Sequence, residues 1–534
     1  MEELNFQVEE ATIKSIQQAF ADGKLTARKL VDFYLHQIER LNPVLRSVIE
    51  VNLDAQLLAD ELDREKETSR RGGGLADLGE LHGIPVLLKD TIGTLDKLNN
   101  TAGSYALLGS KVQRDAAVVE RLRKSGALIL GKASLSEWYR FRSLSGVPNG
   151  WCARSGQGVI GVDHGICNIV NVIVCVNMIR LEKDSSTQAD CLSTRSSLRN
   201  PYLSSGTPCG SSSGSAISVA ANMVCVSLGS ETHSSIICPS VNNSVVGIKP
   251  TVGLTSRAGV IPMTPRWDTI GPICRTVSDA VYVLDVIAGF DPNDEATREA
   301  SKYIPEGGYK QFLNEDGLKG KRLGIIRHPF MEKIHGTAES EAFELHIDTL
   351  RQRGAQLIDN LKIDQIETIL DPNLSGEISI MAAEFKSHIN VYLKELDDSP
   401  VHSLADIIAF NENNPELEML KEHDQNTFIE SEKTNGLGEH EMAILENLAK
   451  LSTNGFEKLM KEHKLDAMVT PGSRASAVYA IGGYPAITVP AGYERDGMPF
   501  GICFGGLRGS EAKLIEISYA FEQVTKVRKP PSLD

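Results

Sequence analysis

The hydrophobic positions along this chain follow two spacings, one typical of amphipathic helices and one of buried strands. Apolar side chains recur at helical spacing after Thr26 and predict an N-terminal helix, at Leu30, Val31, Tyr34, Ile38 and Leu41. Short apolar runs predict buried strands at residues 81–90, 127–130, 323–326, 467–469 and 486–489. Further helices are predicted at residues 116–124, in the acidic region 372–450 and from Ser510 onwards. This alternation predicts an α/β fold in which helices cover both faces of one sheet.

The charge balance is acidic, with 55 basic residues, 70 acidic residues and a formal net charge of -15. Because an acidic surface repels polyanions, we expect no nucleic-acid partner and no binding to anionic membranes. The N-terminal segment has neither the apolar core of a signal peptide nor the arginines of a transit peptide. The apolar run at residues 166–176 is too short for a membrane span. We therefore expect a soluble, cytoplasmic protein.

The nine cysteines are an odd number and lack the spacing of a zinc site. In so long a chain they indicate reduced thiols, as in a cytosolic setting. The sequence shows no cluster of metal ligands, so we expect neither a metal nor another cofactor. It leaves the oligomeric state open.

Two serine-rich clusters carry the strongest chemical signal. The first reads Gly210-Ser211-Ser212-Ser213-Gly214-Ser215, and the second reads Glu231-Thr232-His233-Ser234-Ser235. The small apolar residues at 216–224 between them predict a tightly packed helix. A Gly-Ser loop that opens onto a helix presents free backbone N–H groups. Hydroxyls and amide donors gathered around one point are what acyl transfer requires.

The first cluster has three other possible interpretations. A phosphate-binding loop is excluded, because no Lys-Ser or Lys-Thr follows Gly214. A nucleophile elbow fits the letters of the cluster, with Ser212 in the middle. An elbow requires a strand directly before it, however, and residues 200–208 are rich in turn residues. A solvated loop is the plain alternative for any isolated Ser/Gly tract.

Lys89 ends an apolar run, Ile84-Pro85-Val86-Leu87-Leu88, that predicts a buried strand. Lysine is seldom buried unless it is paired or functional, although a lysine at a strand end can also extend to solvent. Burial disfavours the ammonium form, so the pKa of a buried lysine falls from about 10.4 towards neutrality. A neutral amine in this position can act as a base.

With Lys89 and the two serine clusters together, the chain resembles the amidase signature family over nearly its whole length. Further stretches that carry the resemblance are residues 83–90, 131–138, 246–254 and 268–272. The chain looks most like the stand-alone amidases of plants, fungi and bacteria, including the peptide amidases. The resemblance implies one compact α/β/α domain around a large mixed sheet, over residues 8–528.

The resemblance also implies a Ser–Ser–Lys triad, with Ser235 as nucleophile, Ser211 as bridging serine and Lys89 as base. The family holds the bridging serine beside a non-proline cis peptide bond. Proton transfer from Ser235 through Ser211 to Lys89 would accompany attack on an amide carbonyl and give an acyl-enzyme. The oxyanion would be held by backbone N–H groups of Thr232, His233, Ser234 and Ser235.

The chain departs from the family pattern just before Ser235. The family usually has Asp or Gly and then Gly there, and this chain has His233 and Ser234. Because glycine permits unusual dihedral angles, we expect Ser234 to distort the oxyanion hole or lower the rate. A Ser235–His233 pair is a weaker alternative, since a residue two positions before the nucleophile normally points away from it.

A second departure is an atypical insert at residues 159–198. In the family, a Gly-Gln-Gly such as Gly156-Gln157-Gly158 runs almost directly into Asn200-Pro201-Tyr202. The insert lacks Phe, Tyr, Trp and Pro, and its composition changes abruptly from both flanks. We interpret it as translated non-coding sequence, with a functional flap and an accessory hairpin as the alternatives.

The leading functional hypothesis is an amidohydrolase that cleaves carboxamide C–N bonds in a small-molecule or peptide substrate. An amidotransferase A subunit acting on charged tRNA is second, because the family shares the triad with it. A catalytically impaired homologue is third, because of His233, Ser234 and the insert.

Overall fold

A computed structural model of the protein describes residues 6–71, 78–155 and 199–533. The insert at residues 159–198 and the preceding Gly-Gln-Gly lie outside the described residues, so the interpretation of that segment stays a prediction.

One mixed sheet runs through the described residues and contains eleven strands in the order β1-β3-β2-β4-β6-β5-β10-β11-β9-β7-β8. The strands are β1 Val48–Val51, β2 Pro85–Lys89, β3 Leu128–Ala133, β4 Val226–Glu231, β5 Val246–Lys249, β6 Thr269–Cys274, β7 Arg322–Ile326, β8 Gln356–Leu361, β9 Ala467–Pro471, β10 Ala486–Tyr493 and β11 Pro499–Gly505. Strand β2 is parallel to both β3 and β4, and β7 is parallel to both β8 and β9. The remaining neighbours are antiparallel.

Helices pack on both faces of this sheet. They are α1 Ile13–Ala21, α2 Ala27–Leu45, α3 Ala55–Arg71, α4 Ala117–Lys124, α5 Ser213–Ala220, α6 Ile237–Asn242, α7 Val277–Ile287, α8 Ala296–Ala300, α9 Ala338–Gln352, α10 Ile366–Leu370, α11 Glu377–Lys394, α12 Leu404–Asn413, α13 Asn426–Glu432, α14 Glu439–Ser452, α15 Lys458–Glu462, α16 Ser476–Gly482 and α17 Glu511–Thr525. Along β9, Ala467 and Val469 belong to one hydrophobic core and Met468 to a second. This alternation follows from the two-residue period of a strand, and it confirms the predicted sheet covered on both faces.

The helix predicted after Thr26 is α2, and Thr26 caps its N-terminus by accepting a hydrogen bond from the backbone N–H of Lys29. The strand predicted at residues 81–90 is shorter and begins at Pro85. The other predicted strands and helices are present with shifted ends. Elements with a clear apolar period are therefore confirmed.

The acidic region predicted to be helical forms α11 to α14, within the long connection between β8 and β9. These helices pack around the second core, which includes Ile380, Phe385, Leu404 and Phe428. No helix in the described ranges is long and apolar enough to cross a membrane.

Candidate active site

Lys89 is the last residue of β2, and its side chain is fully buried, with 0% exposure. Its Nζ atom donates hydrogen bonds to Ser211 Oγ, at 2.7 Å, and to the Ser230 carbonyl oxygen, at 3.1 Å. The Tyr139 ring lies over Nζ, with its centroid at 4.9 Å. Burial lowers the pKa of Lys89 well below its usual value, although Asp268 and Glu231 act in the opposite direction. The amine is therefore suited to accept a proton.

The topology explains why Lys89 meets the serine clusters. Strands β2 and β4 are parallel neighbours, and Leu88 pairs with Leu228. Their carboxyl ends therefore lie at the same edge of the sheet, where Lys89 ends one strand and Glu231 ends the other. The loop that follows Glu231 carries Ser235, so both chain segments converge on one place.

Ser211 lies in the loop before α5 and is almost completely buried. The Gly210–Ser211 peptide bond is cis, as the family resemblance implies. The Ser211 carbonyl accepts a hydrogen bond from the Ser136 N–H over 3.0 Å. A Cβ atom at Gly210 would lie 2.3 Å from Ser136 Oγ, so a larger residue here would require the Ser136 side chain to move.

Ser212 does not have the geometry of an elbow nucleophile. Its side chain is buried with 0% exposure, and Oγ donates to the Ser230 carbonyl over 3.1 Å. The residues from 199 to 212 contain turns and bends and no strand. The site therefore lacks the strand that the elbow interpretation requires.

Only the middle of the loop with Ser235, residues 233–235, is exposed to solvent; we call this part the crest of the loop. His233, Ser234 and Ser235 are partly exposed, whereas Thr232 and Ile236 on either side are buried. Beneath the crest, the Glu231 carboxylate accepts hydrogen bonds from the N–H groups of Ile236 and Ile237, at 2.6 and 2.8 Å. This carboxylate fixes the return of the chain into α6.

The structure brings the three predicted catalytic residues into one region, but only two of them are in side-chain contact. Lys89 and Ser211 are in direct side-chain contact. Ser235 is attached to the first cluster through its carbonyl, which accepts a hydrogen bond from the Ser212 N–H over 3.1 Å. Within the described ranges, no hydrogen bond joins the hydroxyls of Ser211 and Ser235.

The N–H groups of His233, Ser234 and Ser235 make no hydrogen bond to another described residue. Neither His233 nor Ser234 has a positive φ. The left-handed conformation that favours glycine is therefore not used at these two positions. The expected effect of Ser234 on the oxyanion hole or the rate stays a prediction.

Asp268 fixes the start of the Ser235 loop, opposite the side that Glu231 holds. Its carboxylate accepts the Thr232 hydroxyl at 2.6 Å and the N–H groups of Met263 and Thr264 at 2.8 and 2.9 Å. Burial raises the pKa of Asp268 to about 6, although these hydrogen bonds oppose the shift. Strand pairing explains the contact, since Glu231 lies opposite Thr269.

The sequence did not assign roles to Tyr139, Glu231 or Asp268. Glu231 and Asp268 lie in stretches that carry the family resemblance, and this could have marked them as candidate site residues. Tyr139 lies in a run of three residues with positive φ, Trp138 to Arg140, and its hydroxyl donates to the Ile261 carbonyl. We find no hydrophobic period that would have revealed it.

His233 is not hydrogen-bonded to Ser235 in the described part of the chain. Its Nδ1 atom lies 2.8 Å from Glu377 Oε1, at the start of α11. The weaker alternative of a Ser235–His233 pair is therefore not what the geometry shows.

The expectation of reduced thiols is wrong for two cysteines, because Cys209 and Cys238 form a disulfide. Cys209 precedes the Gly210–Ser211 bond, and Cys238 lies one turn after Ser235. Their distance in the sequence gave no indication of pairing, whereas the fold brings their Cα atoms to 5.9 Å. The free cysteines of the described ranges are buried, at Cys152, Cys225, Cys274 and Cys503. No group of His, Cys, Asp and Glu in the same ranges could hold a metal ion.

Known proteins resemble this chain in both sequence and fold. The sequence pattern of the Amidase family matches residues 29–148 and 174–515. A protein of Arabidopsis thaliana described as a probable amidase is 54% identical over 526 residues, which cover 98% of this chain and 92% of that protein.

Two solved structures extend the comparison. The native peptide amidase from Stenotrophomonas maltophilia has a TM-score of 0.82 and 36% identity, covering 98% of this chain and 99% of that chain. An amidase family protein from Bacillus anthracis has a TM-score of 0.84 and 31% identity, covering 98% and 93% of the two chains. The protein described here therefore belongs to the amidase family and has its single-sheet α/β fold.

Proposed function

We propose that this protein is an amidohydrolase that cleaves carboxamide C–N bonds through Ser235, Ser211 and Lys89. Membership of the amidase family supports hydrolysis of amides. The observation that carries the assignment of residues is the 2.7 Å contact between Lys89 Nζ and Ser211 Oγ in a site closed to solvent.

In this proposal neutral Lys89 accepts a proton from Ser211, and Ser211 accepts one from Ser235 as Ser235 Oγ attacks the amide carbonyl. The C–N bond then breaks, the proton returns to the leaving amine, and the acyl group stays on Ser235. A water molecule repeats the attack through the same residues and releases the acid. Partial exposure of Ser235, next to two fully or almost fully buried partners, supports its role as the residue that meets the substrate.

The oxyanion hole is proposed at the backbone N–H groups of Thr232, His233, Ser234 and Ser235. The last three make no hydrogen bond to another described residue, which leaves them able to bind an oxyanion. Glu231 and Asp268 support this loop from both sides. We propose a small-molecule or peptide amide as substrate, since a peptide amidase has the same fold at 36% identity.

Labelling with a fluorophosphonate probe, together with hydrolysis of simple carboxamides, tests the proposal. The wild-type protein should label and hydrolyse, and Ser235→Ala should do neither. Ser205→Ala is a matched control, because Ser205 is exposed in the loop before Ser211. Loss of labelling in Ser212→Ala alone would instead support the elbow interpretation.

The same experiment separates the other hypotheses. An impaired homologue would leave the wild-type protein unlabelled and inactive. An amidotransferase A subunit needs partner subunits and charged tRNA, so the purified chain would not turn over simple carboxamides efficiently. The net charge of -15 also gives this chain little attraction for tRNA.

A further inference from the structure

A buried arginine that the proposed reaction does not use lies between two buried carboxylates. The side chains of Arg142, Glu137 and Glu418 all have 0% exposure. The Nη1 atom of Arg142 donates to Glu137 Oε1 over 2.7 Å and to Glu418 Oε2 over 3.2 Å. A buried charge is costly unless it has a partner of opposite sign. Arg142 is therefore the cation that compensates both carboxylates.

The other terminal nitrogen of the guanidinium binds the backbone of the long connection between β8 and β9. Nη2 of Arg142 donates to the carbonyl oxygens of Glu418 and His423, at 2.8 and 2.6 Å. The Glu418 carboxylate also accepts the Ser104 hydroxyl and the Tyr105 N–H, at 2.9 and 2.7 Å. Because the donors of a guanidinium point in fixed directions, it holds such a set of acceptors in one arrangement. Arg142 and Glu418 together therefore join separate segments of the chain.

Glu137 connects this cluster to the candidate site through the residue before it. The Ser136 N–H donates to the Ser211 carbonyl over 3.0 Å, and Ser136 Oγ lies against Gly210. The second carboxylate oxygen of Glu137 accepts the Ala153 N–H over 2.6 Å, so both oxygens of this side chain are engaged. The bridging serine therefore rests against a backbone segment whose position depends on the Glu137 side chain.

We propose that Arg142 is a positioning residue for the bridging serine. It acts through Glu137, which keeps the Ser136 N–H against the Ser211 carbonyl. The effect on catalysis rests on the proposed amidohydrolase function, whereas the effect on this backbone contact does not. Without Arg142, two carboxylates are left buried with no cation, so they must move towards solvent or take up protons. Either change loosens residues 136–137 and removes the backbone support of the bridging serine.

Amide hydrogen exchange measures the proposed contact directly. In Arg142→Met protein, the Ser136 N–H should exchange about tenfold faster or more than in the wild type, because it is no longer held to the Ser211 carbonyl. The amides of the central strand β11 should exchange at their wild-type rates. Arg275→Met is a matched control, since Arg275 is also buried and donates to three backbone carbonyls, none of them in residues 136–142. It should leave the exchange at Ser136 unchanged.

Kinetics with simple carboxamides test the effect on the reaction. Arg142→Met should lower kcat about tenfold or more with little change in KM, because the bridging serine transfers protons and does not bind the substrate. Glu137→Gln should have a similar effect, and the double variant should lose little more than either single variant, since both act through one contact. Arg275→Met should lower stability without this selective loss of kcat. If Arg142→Met does not fold, Arg142→Lys, which keeps the charge but not the set of contacts, replaces it in every comparison.

The two measurements separate the possible failures. If the wild-type protein hydrolyses no amide but exchange at Ser136 becomes faster in the variant, the proposed function fails and the positioning role of Arg142 stands. If exchange at Ser136 is unchanged, or if Arg142→Met and Arg275→Met lower kcat equally, Arg142 only stabilises the fold and the proposal is overturned. Additive losses of kcat in the double variant would also overturn it, because Arg142 would then not act through Glu137.

Discussion

Lys89 and Ser211 lie 122 positions apart in the chain, yet Nζ of one donates a hydrogen bond to Oγ of the other over 2.7 Å. Both residues are buried, with exposures of 0% for Lys89 and 2% for Ser211. Burial disfavours the charged ammonium group, so the pKa of Lys89 is lowered. The side chain therefore changes between its charged and neutral forms at a lower pH than a lysine in water.

The first prediction concerns the pH dependence of activity. Burial lowers the pKa of Lys89, so kcat/KM should rise with pH as the amine loses its proton, with an apparent pKa well below about 10.4. Lys89→Met should remove that rise together with most of the activity. A pH–rate profile that is the same in Lys89→Met as in the wild type would rule out Lys89 as the base.

The same shift predicts a pH dependence of stability. In the window between the lowered folded pKa of Lys89 and its unfolded pKa of about 10.4, the unfolded chain binds more protons. The free energy of unfolding should therefore increase as pH rises through that window. Urea unfolding of Lys89→Met should show a smaller increase than the wild type, and an equal increase would contradict the assignment.

The second prediction concerns the disulfide. Cys209–Cys238 closes a loop with a sequence separation of 29 that contains both Ser211 and Ser235. A cross-link of this kind stabilises by about 2–4 kcal/mol, mainly by restricting the unfolded chain. Cys238 is partly exposed, so a dithiol should reduce the bond in the folded protein. We expect a lower denaturation midpoint and a lower kcat after reduction.

Cys209→Ala/Cys238→Ala should show the same loss without reductant, and added dithiol should then have no effect on this variant. Cys503→Ala is the control for a buried free thiol. Retention of the wild-type midpoint in the double variant would show that the cross-link contributes nothing to stability.

The third prediction concerns Gly214, in the first turn of α5. A Cβ atom there would lie 2.4 Å from the carbonyl oxygens of both Ser134 and Ser47, which are backbone atoms. Gly→Ala within a helix normally gains about 1 kcal/mol, but forced overpacking costs about 1–3 kcal/mol or more. Gly214→Ala should therefore destabilise the protein and lower activity, as measured by denaturant unfolding and kcat. A stabilised variant would show that the packing of α5 is looser than described.

The fold was predictable where the signal is local. Strands β2, β7, β9 and β10 appear as apolar runs in the sequence. Strand β4 does not, because Ser227 and Ser230 interrupt it. The Ser227 hydroxyl is buried and donates to the Leu87 carbonyl over 2.9 Å, a partner known only once β2 and β4 are paired. Polar residues in a strand therefore conceal it from a hydrophobic pattern.

In the candidate site, too, residues within local motifs could be predicted, whereas partners that meet only in the folded chain could not. The family resemblance implied catalytic roles for Lys89, Ser211 and Ser235 from their local motifs, and these roles remain a proposal. It could not identify the partner of His233, because Glu377 is 144 positions away and reaches the ring only when α11 docks beside the loop. The Cys209–Cys238 bond likewise depends on the loop before α5 and the start of α6, which meet only in the folded chain.

The fourth prediction concerns the insert at residues 159–198, which lies outside the described residues. Joining Gly158 directly to Arg199 would restore the family-like junction with Asn200-Pro201-Tyr202. A long segment without aromatic residues or proline is poorly equipped to form its own core. The shortened protein should have equal or better solubility, a higher Tm and equal or greater amidase activity. Misfolding of the shortened protein, or loss of activity that the full chain has, would show that the insert is a working structural element.

Helix α11 contacts the Ser235 loop from a part of the chain that can change in sequence independently of the central strands. The helices α10 to α14 belong to one connection between β8 and β9, whereas Lys89 and Glu231 end strands on the other half of the sheet. At the Ser235 loop this connection contributes Glu377, which pairs with His233. Elsewhere the ion pairs Arg142–Glu418 and Arg266–Glu384 join it to the same half of the molecule. Mutations in this one connection can therefore change the surroundings of the Ser235 loop while the strand register that aligns Lys89 with the serine clusters is inherited intact.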